Sequence, residues 1–311
     1  MRTIFLGTPQ FAVPTLERMM SAGHAVELVV TQPDRPKGRG NAISMSPVKE
    51  AALSHHLEVF QPERIRRPEA VERLRVIQPE IMVIVGYGQI IPQSILDIAP
   101  RGILNVHASL LPKYRGAAPI QWSIVNGEAF TGVTIMRIDA GLDTGDMLLK
   151  AETAVGENES AVDLSPRLAD MGAALLVQAL AEIERIVPVK QDPAEATLAP
   201  ILKKEDGLID WTLPARAIHN RVRGLQPWPG AHTSFRGQTL HVWTSRTTCE
   251  ACNQAPGTLV AKDRRLYAAA GDGLFLELRE VQLEGRKRLA GEVFANGARL
   301  AAGEKLGEAK H

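Results

Sequence analysis

The first half of the chain alternates short apolar runs with helical patterns, and this alternation constrains the fold more than any other feature. Helical patterns at residues 11–22 and 68–77 separate the runs. Strands that are apolar on both faces and separated by helices predict a doubly wound, mostly parallel α/β sheet of Rossmann-like type. Apolar runs that predict such strands occur at residues 4–6, 26–31, 81–85, 102–106 and 132–138.

The sequence pattern changes in the last third of the chain. Short strand-like runs there are separated by Gly, Asn and Asp turns, which predicts a small, OB-like β-barrel. A chain of 311 residues is long enough for about two domains. We therefore expect an α/β domain over residues 1–187, a proline-containing linker over 188–205 and a β-barrel domain over 206–311.

Charge is distributed unevenly along the chain, although the net charge is only +1. Residues 1–202 hold 19 Lys and Arg against 23 Asp and Glu, whereas residues 203–311 hold 17 against 12. An acidic half joined to a basic half is typical of a module for chemistry attached to one that holds a polyanion, although a basic face can also be merely solvated.

Two features of the sequence bear on location. No segment approaches the ~20 continuous apolar residues of a membrane span. Residues 3–7 already form a predicted strand directly after Met1 and Arg2, so no targeting peptide is predicted. We expect a cytoplasmic protein that does not engage a membrane.

A dense polar cluster begins near the carboxyl end of the predicted strand at residues 102–106. Asn105 and His107 are two residues apart, so they project from one face of the strand, near its carboxyl end, where open α/β sheets bind ligands. An Asn amide can donate to a developing oxyanion, and a His can move a proton near neutral pH. The pair predicts acyl-transfer chemistry, and the alternative is a core histidine satisfied by the backbone.

A loop with two glycines and three carboxylates follows the predicted strand at residues 132–138. It contains Asp139, Asp143 and Asp146. A carboxylate from this loop beside His107 would orient the imidazole and stabilise its charged form. The alternative is a plain turn. The spacing does not fit a helix-loop-helix calcium site.

Together these two motifs carry a family resemblance. N-x-H-x-S-L-L-P at 105–112, followed by D-x-G-x-D-T-G at 139–145, resembles the folate-dependent formyltransferases. The resemblance implies a catalytic set of Asn105, His107 and Asp143, with 10-formyltetrahydrofolate as formyl donor and no metal. It implies folate contacts from Gly86, Tyr87, Gly88, Gln89, Ser109, Leu110, Leu111, Pro112 and Asp139.

Other motifs resemble the members of this family that act on methionyl-tRNA. They are G-T-P-Q-F-A at 7–12, the loop at 31–49, R-G-A-A-P-I-Q-W at 115–122 and P-W-P at 227–229. This resemblance implies transfer to the α-amine of methionine on initiator tRNA, for translation initiation. Arg35, Lys37 and Arg39 lie on a Gly/Pro-rich loop predicted to be irregular, and they are the expected tRNA contacts because phosphates supply most nucleic-acid affinity. We expect a monomer.

Two other functions remain open at this point. One is formyl transfer to an amino sugar or another small amine, against which the basic loop and the basic last third argue. The other is a non-catalytic RNA-binding protein, against which intact Asn105, His107 and Asp143 argue. Nicotinamide binding is not predicted, because the first strand lacks G-x-G-x-x-G.

Two further groups carry weaker signals. His219, Arg221 and Arg223 lie on a predicted helix or turn and are candidates to face tRNA. A structural zinc site needs four ligands, and Cys249 and Cys252 supply only two. We therefore expect them to be reduced thiols without a role.

Overall fold

The computed structural model describes residues 1–37 and 42–307. The chain divides into two compact units. The first unit comprises Met1–Gly116, Thr131–Thr153 and Ser165–Leu198. The second comprises Ala117–Phe130, Ala154–Leu164 and the chain from Ala199 onward. The predicted domain boundaries, which run along the chain without interruption, stay a prediction.

The elements alternate through the first part of the chain and become mostly strands in the second part. The strands are β1 (Arg2–Gly7), β2 (Ala25–Val30), β3 (Arg35–Lys37), β4 (Ala42–Ser44), β5 (Val59–Phe60), β6 (Ile81–Val85), β7 (Ile103–His107), β8 (Arg115–Gly116), β9 (Phe130–Arg137), β10 (Met147–Ala154), β11 (Leu198–Ala199), β12 (His232–Phe235), β13 (Gln238–Ala251), β14 (Leu259–Lys262), β15 (Arg265–Ala269), β16 (Leu274–Leu283) and β17 (Leu289–Ala290). The helices are α1 (Val13–Ser21), α2 (Pro47–Ser54), α3 (Pro68–Arg75), α4 (Gln93–Leu96), α5 (Pro119–Val125), α6 (Ala161–Ala181), α7 (Ala215–Gly224) and α8 (Gly291–Ala298).

The main sheet of the first unit has the strand order β10-β9-β7-β6-β1-β2-β5. Strands β5, β2, β1, β6 and β7 are parallel to one another, and β9 is antiparallel to β7. Strand β6 coincides with the apolar run predicted at 81–85, while β7 begins one residue later than predicted. His107 is therefore the last residue of β7, and the carboxyl ends of β1, β6 and β7 share one edge of the sheet.

The second unit contains an antiparallel sheet of order β12-β13-β16-β15-β14, with β17 beside β16. Register shifts along β13 break its ladder with β16, and such bulges bend a strand. The predicted class, an α/β sheet followed by a mostly β second part, is confirmed. The core of this unit includes Trp211, Ile218, Leu240, Leu276 and Phe294.

Helix α6 shows how the sequence sets a helix start. Ser160 and Asp163 cap it reciprocally: the Ser160 amide donates to Oδ2 of Asp163 at 3.0 Å, and the Asp163 amide donates to Oγ of Ser160 at 3.3 Å. Pro166 is the sixth residue of the helix, beyond the first turn, so its missing N–H removes one i→i−4 hydrogen bond of the helix. No helix among the described residues has the length and apolarity that a membrane span requires.

Two residues of the predicted linker, Val189 and Thr197, form hydrogen bonds with other parts of the first unit. Val189 forms an antiparallel bridge with Met147. The amides of Tyr114 and Arg115 donate to Oγ1 and the carbonyl of Thr197, each at 2.9 Å. Buried backbone groups need such partners, so this stretch completes the hydrogen bonding of the segment that follows β7.

The basic loop also differs from the prediction that it is irregular. Strands β3 and β4 pair as an antiparallel ribbon, with Arg35 opposite Ser44 and Pro36 opposite Ile43. A proline lacks the N–H that a central strand needs, but a two-stranded ribbon has open edges and tolerates it. Asp34 holds the base of the ribbon by accepting from Lys49 at 2.5 Å and from Gln61 at 2.8 Å.

Candidate active site

Asn105 and His107 lie on one face of β7 and are both buried, with 8% and 5% of their surface exposed. In the sheet register, Asn105 is paired with Ile84 of β6 and with Met136 of β9. No described residue hydrogen-bonds to the side-chain amide of Asn105. An amide held at this depth by strands on both sides has the geometry to donate to a ligand at the edge of the sheet.

The imidazole of His107 contacts a carbonyl on one side and a carboxylate on the other. Its Nε2 lies 2.9 Å from the carbonyl oxygen of Tyr114. Because a carbonyl can only accept, Nε2 carries a hydrogen, and in the neutral ring Nδ1 is the acceptor. Nδ1 lies 3.7 Å from Oδ2 of Asp143. The Tyr114 carbonyl thus sets the tautomer of His107, and the Asp143 carboxylate lies beside the other ring nitrogen.

Asp143 is held in an uncommon backbone conformation. Its φ is +52°, in the left-handed region that few non-glycine residues adopt. The amide of Gly116 donates to its Oδ2 at 2.8 Å. A Cβ at Gly145 would lie 1.9 Å from the carbonyl oxygen of Arg137, so only glycine fits there. The loop therefore presents the Asp143 carboxylate to His107 through a tightly constrained backbone.

Asp139 has a role inside this loop. Its carboxylate accepts from the amide of Gly141 at 3.0 Å and from the hydroxyl of Thr144 at 2.8 Å. Leu142, at the tip, is exposed. The predicted folate contact from Asp139 would therefore come from a carboxylate that already shapes the loop.

The segment from Ser109 to Pro112 is fastened by its own polar contacts. The hydroxyl of Ser109 donates to the Lys113 carbonyl at 2.6 Å. Thr134 of β9 donates to the Ser109 carbonyl at 2.7 Å and accepts from the Leu111 amide at 3.1 Å. Lys150 donates to the Leu111 carbonyl. Leu110 is half-buried, whereas Leu111 and Pro112 are buried. This rigid turn follows His107 directly.

The segment after β6 presents mainly backbone. Gly86 and Gly88 have φ of +58° and +87°, which favour glycine. The side chain of Tyr87 lies in the core, where burial raises the pKa of its phenol. Its carbonyl accepts from Thr8 at 3.1 Å. Gln89 accepts from the Ile65 amide at 2.8 Å, so contacts to a ligand from 86–89 would be made by the main chain.

The predicted tRNA contacts are described only in part. Arg35 is exposed and pairs with Glu63 at 2.8 Å. The backbone of Lys37 lies in β3, but its side chain falls outside the described residues, as does Arg39 altogether.

Three residues on α7 and two cysteines can also be compared with the predictions. His219 and Arg223 are buried, so their side chains do not face solvent, where the sequence analysis made them candidates to contact tRNA. Arg223 donates to the carbonyls of Gly156 and Glu159 at 3.1 and 2.9 Å, which explains how a cation is accommodated there. Cys249 is exposed and Cys252 buried, and both are free thiols.

Sequence reasoning missed one buried polar residue near the loop. Gln191, in the predicted linker, is 8% exposed and contacts the carbonyls of Asp143 and Gly145. Its partners lie more than 40 positions away, so no local pattern could have revealed it.

Two family models match the chain. The model described as formyl transferase matches residues 1–180, and the model of the formyl transferase C-terminal domain matches residues 201–299. The chain belongs to the formyl transferase family, a class of enzymes that transfer a one-carbon group.

Within this family, its similar relatives share one name. The chain is 66% identical to the methionyl-tRNA formyltransferase of Solibacter usitatus over 99% of both chains. It is 54% identical to that of Koribacter versatilis over 98% of both. The chain therefore groups with the methionyl-tRNA formyltransferases.

A solved structure supports the fold. An N-formyltransferase from Helicobacter canadensis, in complex with folinic acid and dTDP-3-aminofucose, matches with a TM-score of 0.68 at 19% identity. The match covers 89% of this chain and 98% of that one.

Proposed function

We propose that this chain transfers the formyl group of 10-formyltetrahydrofolate to the α-amine of methionine on initiator tRNA, giving formylmethionyl-tRNA for translation initiation. The observation that carries the proposal is the 66% identity, over nearly the full length, with a relative named methionyl-tRNA formyltransferase. The buried polar set at the edge of the sheet supports it, because its members suit acyl transfer.

His107 and Asp143 are proposed to receive the proton that the attacking amine loses. Nε2 of His107 is committed to the Tyr114 carbonyl, so Nδ1 is the nitrogen that can accept a proton. The Asp143 carboxylate at 3.7 Å stabilises the imidazolium that results. The same proton then passes to the folate nitrogen as it leaves, so the amine's proton loss and the folate's proton gain balance.

Asn105 is proposed to stabilise the formyl oxygen as it becomes an oxyanion. Its amide is buried and fixed by β7, and a donor of this kind is typically worth about 3–4 kcal/mol in the transition state. Such a donor acts mainly on kcat, because the charge that it meets develops only during the reaction.

The formyl donor is proposed to lie along the backbone of Gly86–Gln89, the turn at Ser109–Pro112 and the Asp139 end of the acidic loop. The positive φ of Gly86 and Gly88 leaves main-chain groups open to a flat polar ring. Exposed Ile90 and Leu142 adjoin these segments and offer apolar surface for it.

The decisive experiment supplies purified protein with 10-formyltetrahydrofolate and one of three acceptors: methionyl initiator tRNA, free methionine or a nucleotide-linked amino sugar. We expect formyl transfer to the charged tRNA alone. Transfer to the amino sugar without transfer to tRNA would refute methionyl-tRNA as the acceptor but would still support formyl transfer. A folded protein that binds tRNA but formylates none of the acceptors would overturn the enzymatic proposal.

Arg35, Lys37 and Arg39 are proposed to contact the phosphates of the tRNA. An Arg39→Ala variant should raise KM for tRNA and flatten its salt dependence, while kcat at saturating tRNA changes little. Arg18→Ala, on the exposed face of α1, is the matched control for loss of one positive charge. Equal KM values for the two variants would contradict the proposed contact.

We also propose that the enzyme acts as a monomer in the cytoplasm, where charged tRNA is available. Light scattering coupled to size-exclusion chromatography should give the mass of one chain, 33.8 kDa. A mass of two chains at assay concentrations, or recovery with the membrane fraction of lysed cells, would contradict this.

A further inference from the structure

Gln191 is a buried side chain near the acidic loop whose amide makes four hydrogen bonds. Its Nε2 donates to the carbonyl oxygens of Asp143 and Gly145, each at 2.8 Å. Its Oε1 accepts from Nε and Nη2 of Arg115 at 3.0 and 2.8 Å. Both amide hydrogens and both lone pairs of the oxygen are therefore used.

The chemistry of these partners fixes the orientation of the amide. Carbonyl oxygens only accept and a guanidinium only donates, so the nitrogen of Gln191 must face the loop and its oxygen must face Arg115. An amide is the side chain that can serve two acceptors on one side and a cation on the other without carrying charge itself. Gln191 is 8% exposed; its bond to the Gly145 carbonyl is buried, and the other three bonds are partly buried.

Asp143 is therefore hydrogen-bonded at both its main chain and its side chain. Gln191 binds its carbonyl, and the amide of Gly116 binds its carboxylate at 2.8 Å. Arg115, the neighbour of Gly116, completes the connection by binding Gln191. Gly116 therefore binds the carboxylate of Asp143 directly, and Arg115 supports its carbonyl through Gln191. These contacts stabilise a φ of +52°, which is unfavourable without such support.

We propose that Gln191 is a positioning residue that holds the Asp143 carboxylate next to Nδ1 of His107. The inference rests on the proposed function, since it assigns Gln191 a part in the same reaction. Gln191 touches no reacting atom, and it acts only through the conformation of the loop from Asp143 to Gly145.

The test uses Gln191→Glu in the full-length protein, because this change preserves shape and reverses one half of the chemistry. A carboxylate still accepts from Arg115, but it faces the Asp143 and Gly145 carbonyls with an acceptor in place of a donor. Misplacement of a catalytic group by about 1 Å costs on the order of 100-fold in rate, so we expect kcat to fall roughly 10- to 100-fold. KM for folate and tRNA should change little.

Two controls separate positioning from loss of folding. Gln238→Glu makes the same chemical change at an exposed site of β13 and should leave kcat and the melting temperature as in the parent. Gln191→Asn is the second variant, because it stays neutral but is too short to reach both sides. It should also lower kcat, and the kcat–pH profile of both Gln191 variants should change shape, which general destabilisation would not cause.

A double-mutant cycle with Asp143→Asn decides whether Gln191 acts through Asp143. If it does, adding Gln191→Glu to Asp143→Asn lowers single-turnover rates no further. Full multiplication of the two losses, or unchanged kcat in folded Gln191→Glu, would overturn the inference. If instead Asp143→Asn itself retains full activity, the proposed role of Asp143 fails and the positioning role falls with it.

Discussion

His107 in the first unit and His219 in the second are alike in burial and in one hydrogen bond. They are 5% and 2% exposed, and Nε2 of each faces a main-chain carbonyl, that of Tyr114 at 2.9 Å and that of Glu157 at 3.2 Å. They differ at Nδ1. In His219 it meets the hydroxyl of Ser245 at 3.0 Å, whereas in His107 it faces the Asp143 carboxylate at 3.7 Å.

Burial alone therefore does not distinguish His107, the proposed catalytic histidine, from His219, for which no catalytic role is proposed. His219 has a neutral partner at each nitrogen, and burial lowers its pKa, so it is stabilised in one protonation state. His107 has one committed nitrogen and one beside an anion that would stabilise an added proton. What separates them is the group facing Nδ1, and each prediction below changes one side of this comparison.

The largest difference is expected from replacing each histidine by glutamine. His107→Gln keeps a donor for the Tyr114 carbonyl but cannot accept a proton, so kcat should fall by about 10²- to 10⁴-fold. His219→Gln should leave kcat near that of the parent and lower the melting temperature. Formyl-transfer rates and thermal unfolding of both variants check this. Comparable losses of kcat in the two variants would contradict the distinction between His107 and His219.

A second pair tests the neighbouring amides. Asn105→Ala should lower kcat about 10²- to 10³-fold with little effect on tRNA binding, as loss of an oxyanion donor does. Asn220→Ala is the matched control, because Asn220 is also buried but only accepts from Nε of Arg223, at 3.0 Å. It should affect stability and not kcat. An Asn105→Ala enzyme with full kcat would remove the proposed oxyanion role.

A smaller effect is expected at Ser245. Ser245→Ala removes the donor to Nδ1 of His219, and loss of a buried hydrogen bond costs about 1 kcal/mol of unfolding free energy. Activity should be retained. Urea unfolding followed in parallel with the formylation assay measures both quantities. A stability equal to that of the parent would mean that this hydroxyl does not hold the ring.

The smallest effect is a dependence of stability on pH. Burial, followed by the charges of Arg223 and Arg216, lowers the pKa of His219 in the folded chain below its unfolded value of about 6.5. The unfolded chain therefore binds more protons below that pH, and the contribution of neutral His219 is lost as pH falls. The stability advantage of the parent over His219→Gln should shrink between pH 8 and pH 5. A constant difference would contradict this.

The parts of the fold that sequence could predict depend on local pattern. Strand β6 follows from a continuous apolar run, and Asn105 and His107 share a face because they are two residues apart on β7. The approach of Asp143 to His107 was expected from motif resemblance and not from any local rule. Their catalytic roles stay predictions.

Other features depend on partners that are distant in sequence. Gln191 is fixed by Arg115, Asp143 and Gly145, the nearest of which is 46 positions away. Arg223 looks like a surface cation in the sequence, yet two carbonyls more than 60 positions away make its burial tolerable. Hydrogen bonds between residues that are far apart in sequence leave no periodic pattern in the sequence, so they cannot be predicted from pattern alone.

The place of Gln191 in the chain has a consequence for dividing the protein into pieces. It falls between the two family models, which end at residue 180 and begin at residue 201. A fragment cut at the first of these limits would keep Asn105, His107 and Asp143 but lose the amide that binds the loop and the Thr197 groups that bind Tyr114 and Arg115. We therefore expect a minimal transferase module to need residues beyond 180, and chimeras that exchange the second unit's sheet to work only when joined beyond Thr197.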